Sequence, residues 1–366
     1  MLEMIASRKT LALFVIAISS WVAMDASWAG ARNGTWSDMF TFAGDYPIGA
    51  SVNRTDYESI DPVARRLYLA KMGGGQLVVF DIDENKSVAQ LDGFPKVTGV
   101  LAVPELHKVY ASVPGSGIGA SLMVGLGMLG LSSGHGVVAI YDTQGLKELA
   151  RVAGGVFPDG ITYDPKERKI FVSDELGSAV TAIDAGADKF LARTPTGGEV
   201  GNVRYDRATV RIFVPVQSHD ALIAIDPQTL TVVARYALPG CDHPHGFIVA
   251  PDGGVGYVAC DGNDMLLTVD LRSGHALGRQ KVAHDPDVLA LDEGVHRLYV
   301  AGESGILSTY DIANPRTPVP LGDMFVANEA HVVAVDPVSH RLYFGLADVG
   351  GRCVVRVLVP KFGNRH

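Results

Sequence analysis

Residues that can bind a metal or transfer a proton recur at one position of a segment that this 366-residue chain repeats seven times. The position lies five residues before a turn that contains proline in five of the seven repeats. If the repeats pack around a common axis, the seven side chains share one rim. Carboxylates held that close together repel one another unless some are protonated or a cation offsets their charge. The seven residues are Asp56, Thr98, Asp159, Gly201, His245, Asp287 and His331.

A divalent metal is one cation that would offset this charge. Histidine with Asp or Glu suits zinc, copper or iron, whereas carboxylates with carbonyl oxygens and water suit calcium or magnesium. We expect His245, Asp287 and His331 to be metal ligands, because they lie on three consecutive repeats. Asp159 is expected as a catalytic base or a further ligand. The remaining residues predicted to bind a ligand at the same rim are Asp56, Thr98, Glu199, Asn202 and His243.

The same residues also have a purely structural explanation, which the sequence leaves open. Polar side chains suit a hydrated channel, and His245 or Asp159 would then only hydrogen-bond neighbouring backbone. The chain contains no HExxH, CxxCH or zinc-finger spacing, and no Gly-x-Ser-x-Gly motif of a serine hydrolase. The cofactor therefore stays open, with one divalent metal ion as the candidate.

The elements that must position these residues are short strands. Each repeat has an apolar run before its turn, an aromatic residue in a β-rich triplet such as Ile170-Phe171-Val172, and a further apolar run. The turns follow one another at 42, 61, 42, 44, 42 and 44 residues. Four short strands in about 40 to 45 residues is typical of a propeller blade. We predict an all-β, seven-bladed β-propeller with four-stranded antiparallel blades.

The segment from Ile170 to Asp184 resembles the YVTN-type propeller repeat, in which an aromatic residue, valine, and a small and a polar residue precede an apolar strand ending in Asp. This similarity to the YVTN-repeat (YncE-like) family covers essentially the whole chain after residue 29 and departs from the pattern at Pro215. It implies the seven-bladed fold more strongly than any function. The last repeat lacks a fourth strand, and we predict that Met39 to Phe42 supplies it and closes the ring.

Residues 1–29 are predicted to be a signal peptide, because Arg8 and Lys9 precede an apolar run and Ser27-Trp28-Ala29 ends it with small residues. Residues 30–366 are then a single propeller domain, periplasmic or secreted. The formal net charge of −9 argues against nucleic acid as a partner. With 19% charged and 47% hydrophobic residues, the composition is that of a folded chain.

The long spacing of 61 residues marks an insertion at 114–136 in the second blade. Within it, residues 118–131 carry no charge, and nine of these 14 residues are apolar. A lid over the channel, a docking patch and a shallow membrane contact all stay open, and we expect membrane contact nowhere else. In the fifth blade, Cys241 and Cys260 are predicted to form a disulfide, whereas Cys353 is expected to be a buried thiol.

Three functions are compatible with these features. The first is an exported binding or scaffold propeller with a ligand or metal site at the channel mouth on the top face, the face from which the chain enters each innermost strand. Its partner would be a small molecule or a protein. The second is a metal-dependent lactonase-like hydrolase or lyase that uses the ring of His and Asp residues, since propellers resembling gluconolactonases and streptogramin lyases place acidic, Asn or His ligands at such a mouth. The third is an accessory protein of a periplasmic redox system. The sequence leaves open whether the chain is an enzyme.

Overall fold

The computed structural model describes residues 39–49, 53–115, 125–126 and 134–362. Its strands form seven four-stranded antiparallel sheets arranged as a β-propeller, which confirms the predicted fold class. The predicted signal peptide and most of the insertion at 114–136 lie outside the described residues. Three short 3-10 helices lie in loops, at Met72–Gly74, Pro104–Leu106 and Gln217–His219. Within the described part of the chain, none of the helices has the length and apolarity needed to span a bilayer.

The strands follow the repeats along the chain. A first strand, β1 (Phe40–Gly49), precedes the blades. Blade 1 consists of β2 (Glu58–Asp61), β3 (Arg66–Lys71), β4 (Gln76–Asp81) and β5 (Lys86–Asp92). Blade 2 consists of β6 (Val100–Val103), β7 (Lys108–Val113), β8 (Gly136–Asp142) and β9 (Glu148–Gly155). Blade 3 consists of β10 (Pro158–Asp164), β11 (Lys169–Asp174), β12 (Ala179–Asp184) and β13 (Lys189–Pro195).

The second half of the ring repeats this plan. Blade 4 consists of β14 (Arg204–Asp206), β15 (Arg211–Val216), β16 (Ala221–Asp226) and β17 (Thr231–Ala237). Blade 5 consists of β18 (Pro244–Val249), β19 (Val255–Cys260), β20 (Met265–Asp270) and β21 (Ala276–Lys281). Blade 6 consists of β22 (Pro286–Asp292), β23 (Arg297–Gly302), β24 (Ile306–Asp311) and β25 (Val319–Phe325). Blade 7 consists of β26 (Ala334–Val335), β27 (Leu342–Leu346) and β28 (Cys353–Pro360), completed by β1.

The N-terminal strand closes the ring as predicted. Strand β1 pairs antiparallel with β28, with Phe40 opposite Pro360 and Asp45 opposite Arg356. The pairing is longer than the four residues expected from the sequence. A salt bridge of 2.7 Å between Arg356 Nη2 and Asp45 Oδ2 reinforces it. Because the two ends of the chain share one sheet, neither end of the ring presents an open edge.

Aspartates hold the turns of the bottom face, where strands one and two, and strands three and four, of a blade are joined. Asp61 Oδ1 accepts hydrogen bonds from the backbone N–H groups of Val63 at 2.9 Å and Ala64 at 2.8 Å. This geometry is the Asx turn, which the short Asp side chain favours. We call the nine described residues that share its hydrogen bond from the N–H of the second residue onward the turn aspartates: Asp61, Asp81, Asp164, Asp184, Asp206, Asp226, Asp270, Asp311 and Asp336.

The aromatic residue of each repeat is buried between neighbouring blades. Tyr68 of blade 1, for example, belongs to the same apolar cluster as Val100 and Val109 of blade 2. Burying an aromatic side chain contributes about 2 kcal/mol, and here two blades share each contribution. The blades therefore stabilise one another around the ring. The seven aromatic residues, each at most 1% exposed, are Tyr68, Tyr110, Phe171, Phe213, Tyr257, Tyr299 and Tyr343.

Candidate ligand site at the channel mouth

The start of each innermost strand lies against the next blade, which brings the rim residues together. Gly99 follows Thr98, and a Cβ atom at Gly99 would overlap the backbone carbonyl oxygen of Asp159. Gly246 follows His245, and a Cβ atom there would overlap the carbonyl oxygen of Asp287 in the same way. Glycine is needed at both places because the backbones of adjacent blades touch. The close approach places one rim residue of each blade beside the next.

These residues surround a cavity of about 510 Å³ on the top face, which we call the mouth. Among the predicted residues, the structure places Asp56, Thr98, Asp159, His243, His245 and Asp287 in its wall. Glu199 and Asn202 are outside this wall. His331 lies just behind it, with Nδ1 3.6 Å from Glu303 Oε2. The other lining residues are Arg54, Tyr57, Met72, Phe157, Glu175, Gln217, Asp261, Asp285, Pro286 and Glu303.

Asn202 contributes to the floor of the mouth instead of its wall. Tyr57 of blade 1 extends across the channel to blade 4, and its hydroxyl donates a hydrogen bond to Asn202 Oδ1. Tyr57 is 8% exposed and Asn202 is 1% exposed. The backbone N–H of Asn202 also donates to the carbonyl oxygen of His245 at 3.0 Å. The hydrogen bond between Tyr57 and Asn202 connects blades 1 and 4 beside the mouth, which Tyr57 lines.

Five of the lining residues share a position that the sequence analysis did not assign to the site. Each is the first residue after the second strand of its blade, where the chain turns at the top face. They are Met72, Glu175, Gln217, Asp261 and Glu303. This regular offset is a signal that the sequence does contain. Arg54 lies two residues before Asp56, the rim residue of blade 1. No other repeat has arginine at this position, so the repeat pattern does not point to Arg54.

Histidine 245 faces several carboxylates inside the mouth. Its Nε2 lies 3.4 Å from Asp287 Oδ1. Burial lowers the pKa of His245, but the negative charges of Asp287, Glu175 and Asp159 outweigh burial and raise the pKa to about 9. His245 therefore carries a positive charge at neutral pH. This charge offsets part of the negative charge of the mouth.

Histidine 331 is in a similar electrostatic environment at greater depth. It is 2% exposed, and its Nδ1 is 2.8 Å from the carbonyl oxygen of Glu329. Burial lowers the pKa of His331, but its interactions with Asp56 and Asp287 raise that pKa to about 9. One ligand atom each of Asp287, Glu303 and His331 lies within 4.8 Å of the other two, so these three residues could hold a metal ion.

The carboxylates of the mouth are short of positive partners. Burial raises the pKa of Asp159 well above its ordinary value, and the nearby charge of Glu175 raises it further. Burial also raises the pKa of Glu175, although His245 opposes that shift. The side chain of Gln217 donates to Glu175 Oε1 at 3.4 Å. Buried acids with raised pKa values in one cavity are a feature of functional sites.

A disulfide lies directly behind one side of the mouth. The structure pairs Cys241 with Cys260, whose Cα atoms are 5.3 Å apart. Next to these cysteines, His243 Nδ1 lies 2.7 Å from Asp261 Oδ1, so the disulfide ties together the two loops that carry this pair. Cys353 is a buried free cysteine, and burial raises the pKa of its thiol.

Comparisons with known proteins show the fold without a family. No family model matches the chain, and no curated protein is significantly similar to it in sequence. In contrast, 1774 chains of solved structures are similar to it in fold. One is the hydrazine synthase of Kuenenia stuttgartiensis, with a TM-score of 0.67 and 13% sequence identity, over 84% of this chain and 96% of that chain. At this identity the similarity shows a shared fold and nothing about function.

Proposed function

We propose that this chain is an exported binding propeller of the YVTN type that holds a small, positively charged ligand at its mouth. The observation that carries the proposal is the charge of the mouth, where seven carboxylates face one arginine and two histidines. A concave cavity with convergent polar groups is the usual form of a small-molecule site. Export and family membership rest on the sequence alone, through residues 1–29 and the repeat.

The wall of the mouth favours an organic cation. Phe157, Met72 and Tyr57 line it together with the acids. An aromatic face attracts a cation, and a nearby carboxylate adds a direct charge interaction. Asp159 and Glu175 lie on the same side of the mouth as Phe157, since Glu175 N–H donates to the carbonyl oxygen of Phe157 at 3.0 Å. A primary amine bound there would pair with both carboxylates and contact the ring.

Calorimetric titration with two probes of equal chain length tests this proposal. Putrescine, a short diamine, should bind the protein without its predicted signal peptide, and succinate, the matching dianion, should not. We expect the double substitution Asp159→Asn with Glu175→Gln to weaken putrescine binding at least about tenfold, because it removes the two carboxyl groups that would pair with the amine. Asp252→Asn, at an exposed carboxylate of the bottom face, is the control. The proposal is contradicted if putrescine and succinate bind equally well. It is also contradicted if putrescine binds the wild type and the double variant with equal affinity.

A second candidate function is a metal-dependent hydrolase or lyase. The observation that favours it is that Asp287 and Glu303 of the possible metal set line the same cavity as Asp159. A buried carboxyl with a raised pKa can act as a general acid or base beside a metal-activated water. Turnover of a simple lactone that requires metal and falls with Asp159→Asn would support this candidate. The hydrazine synthase similarity adds the fold alone, so an accessory role in a redox system stays a third hypothesis.

A further inference from the structure

Three residues from blades 6 and 7 meet at one side of the mouth. Asp287 lies in β22, Glu303 follows β23, and His331 precedes β26. Their ligand atoms lie within 4.8 Å of one another. In a tetrahedral zinc site the ligand atoms are about 3.4 Å apart, which is only slightly closer than the 4.8 Å that separates these three atoms at most. Small side-chain movements would therefore bring the three into coordinating positions.

Histidine 331 has a nitrogen that the described residues do not satisfy. The side chain is 2% exposed, and its Nε2 has no hydrogen-bond partner in the described parts of the chain. The nearest carboxylate oxygen, Asp56 Oδ1, is 3.9 Å from Nε2, which is beyond hydrogen-bonding distance. A buried polar atom without a partner is costly, so such an atom at an acidic cluster indicates a missing ligand.

The other nitrogen of this histidine is held as it is in metal sites. His331 Nδ1 lies 2.8 Å from the carbonyl oxygen of Glu329. Glu329 has a φ of 56°, a left-handed backbone conformation that is uncommon for glutamate. Metal-binding histidines commonly donate their second N–H to a backbone carbonyl, which fixes the ring and leaves the remaining nitrogen to the metal.

Arg54 now pairs with the carboxylate that a metal would use. Its Nη2 is 2.5 Å from Glu303 Oε1, and its Nη1 is 3.3 Å from Glu303 Oε2. Its Nε is 3.5 Å from Asp56 Oδ1. The Arg54 side chain is 38% exposed, so it can move out to solvent. A cation bound at Glu303 must displace at least one of these interactions.

We propose that Asp287, Glu303 and His331 bind a divalent first-row transition metal, and that Arg54 is the internal cation with which this metal competes. One imidazole with two carboxylates suits zinc or iron, whereas calcium and magnesium take oxygen ligands only. This inference rests on the proposed cation-binding role of the mouth. It specifies a transition-metal ion as one ligand and the side formed by blades 6 and 7 as its position.

Titration of chelator-treated protein with Zn²⁺ tests the site. We expect one equivalent to bind, and Glu303→Gln or His331→Gln to weaken Zn²⁺ binding at least about tenfold, because each removes one of three ligands. His284→Ala is the matched control, because this histidine pairs with Asp264 on an exposed loop, where its side chain is 63% exposed. Ca²⁺ should not compete at equal concentration. Circular dichroism and melting temperature show whether the buried His331→Gln variant folds, and Glu303→Gln serves if it does not.

The competition has its own variant. Arg54→Met should tighten Zn²⁺ binding about tenfold, because it removes a positive charge in contact with Glu303. Lys281→Met is the control, because it also removes one positive charge, but at a site away from Glu303. Lys281 donates a hydrogen bond to the carbonyl oxygen of Asn263 on blade 5. The inference is wrong if the protein binds no Zn²⁺ or if only His284→Ala weakens the binding. It is also wrong if Arg54→Met leaves the affinity for Zn²⁺ unchanged. Putrescine binding that survives these results would leave the proposed function intact.

Discussion

Acidic residues have different environments on the two faces of the propeller. On the bottom face, each turn aspartate has its own backbone donors, and Asp336 also accepts from Arg65 Nη1 and Nη2 at 2.9 Å each. Burial raises the pKa of Asp336, but the hydrogen bonds from Arg65 and Ser339 outweigh burial and hold the pKa below its ordinary value. On the top face, Asp159 and Glu175 share a cavity with further carboxylates, and their pKa values are raised.

This difference distinguishes most acids of the bottom face from those of the mouth. Asp164 is an exception among the turn aspartates, since burial raises its pKa and its Oδ2 has no hydrogen-bond partner within the described residues. A carboxylate whose donors match its charge stabilises the fold in its ionised form. A carboxylate buried among other carboxylates destabilises the fold when ionised, and a cationic ligand can remove that cost. The acids of the bottom face therefore stabilise the fold, whereas the acids of the mouth support the proposal that a cation binds there.

The largest expected effect is at a turn aspartate with a buried salt bridge. Asp336→Ala should lower the free energy of unfolding by about 3 kcal/mol, because it removes acceptors from two backbone N–H groups and leaves Arg65 without its buried partner. Urea denaturation measures the change. Asp252→Ala, at a carboxylate whose side chain is 96% exposed on the same face, should change stability by less than about 0.5 kcal/mol. Equal effects of the two substitutions would erase the distinction between the faces.

A smaller effect, with a defined pH dependence, is expected at Glu58, near the mouth. Burial raises the pKa of Glu58 to about 8, its Oε1 accepts from Gly345 N–H, and its buried Oε2 has no partner within the described residues. The folded state therefore binds a proton more tightly than the unfolded state, so wild-type stability should fall as pH rises from about 4.5 to 8. Glu58→Gln should flatten this slope.

The comparison with Glu58→Gln is made at two pH values. The variant should be more stable than wild type by about 2 kcal/mol at pH 6 and equal to it near pH 4. Glu84→Gln, at a side chain that is 65% exposed, should follow the wild-type profile. Parallel slopes for wild type and Glu58→Gln would show that this carboxyl titrates in its ordinary range.

The smallest expected effect is at a turn aspartate that is only partly buried. Asp184 Oδ1 accepts from Gly186 N–H at 2.9 Å and Ala187 N–H at 2.8 Å, where water can replace it. Asp184→Ala should cost about 1 kcal/mol of unfolding free energy, and Asp184→Asn less, because asparagine keeps the acceptor oxygen. Thermal melting of both variants measures the difference. Equal losses for Asn and Ala would mean that charge, and not the turn hydrogen bonds, is what Asp184 contributes.

Much of the fold could be predicted because the same pattern of strands and turns occurs seven times in the sequence. The aromatic positions, the blade boundaries and the closing strand all follow from spacing and residue type, although β1 extends to Gly49 where Phe42 was expected to end it. The rim position was also predictable, since every blade has a residue at the same offset. Asn202 could not be assigned correctly to wall or floor, because its partner Tyr57 lies 145 residues away and crosses the channel.

The sequence by itself determined the seven blades, the turn aspartates and which residues begin each innermost strand, because these depend on local periodicity and on neighbours a few residues apart. Only the tertiary structure decided which rim residues face one another. The grouping of Asp287, Glu303 and His331, and the pairing of Arg54 with Glu303 across 249 residues, depend on how far each blade is rotated about the axis. The concentration of charge and the burial of side chains at the mouth arise from the packing of blades against one another. They therefore cannot be predicted from the sequence of a single repeat.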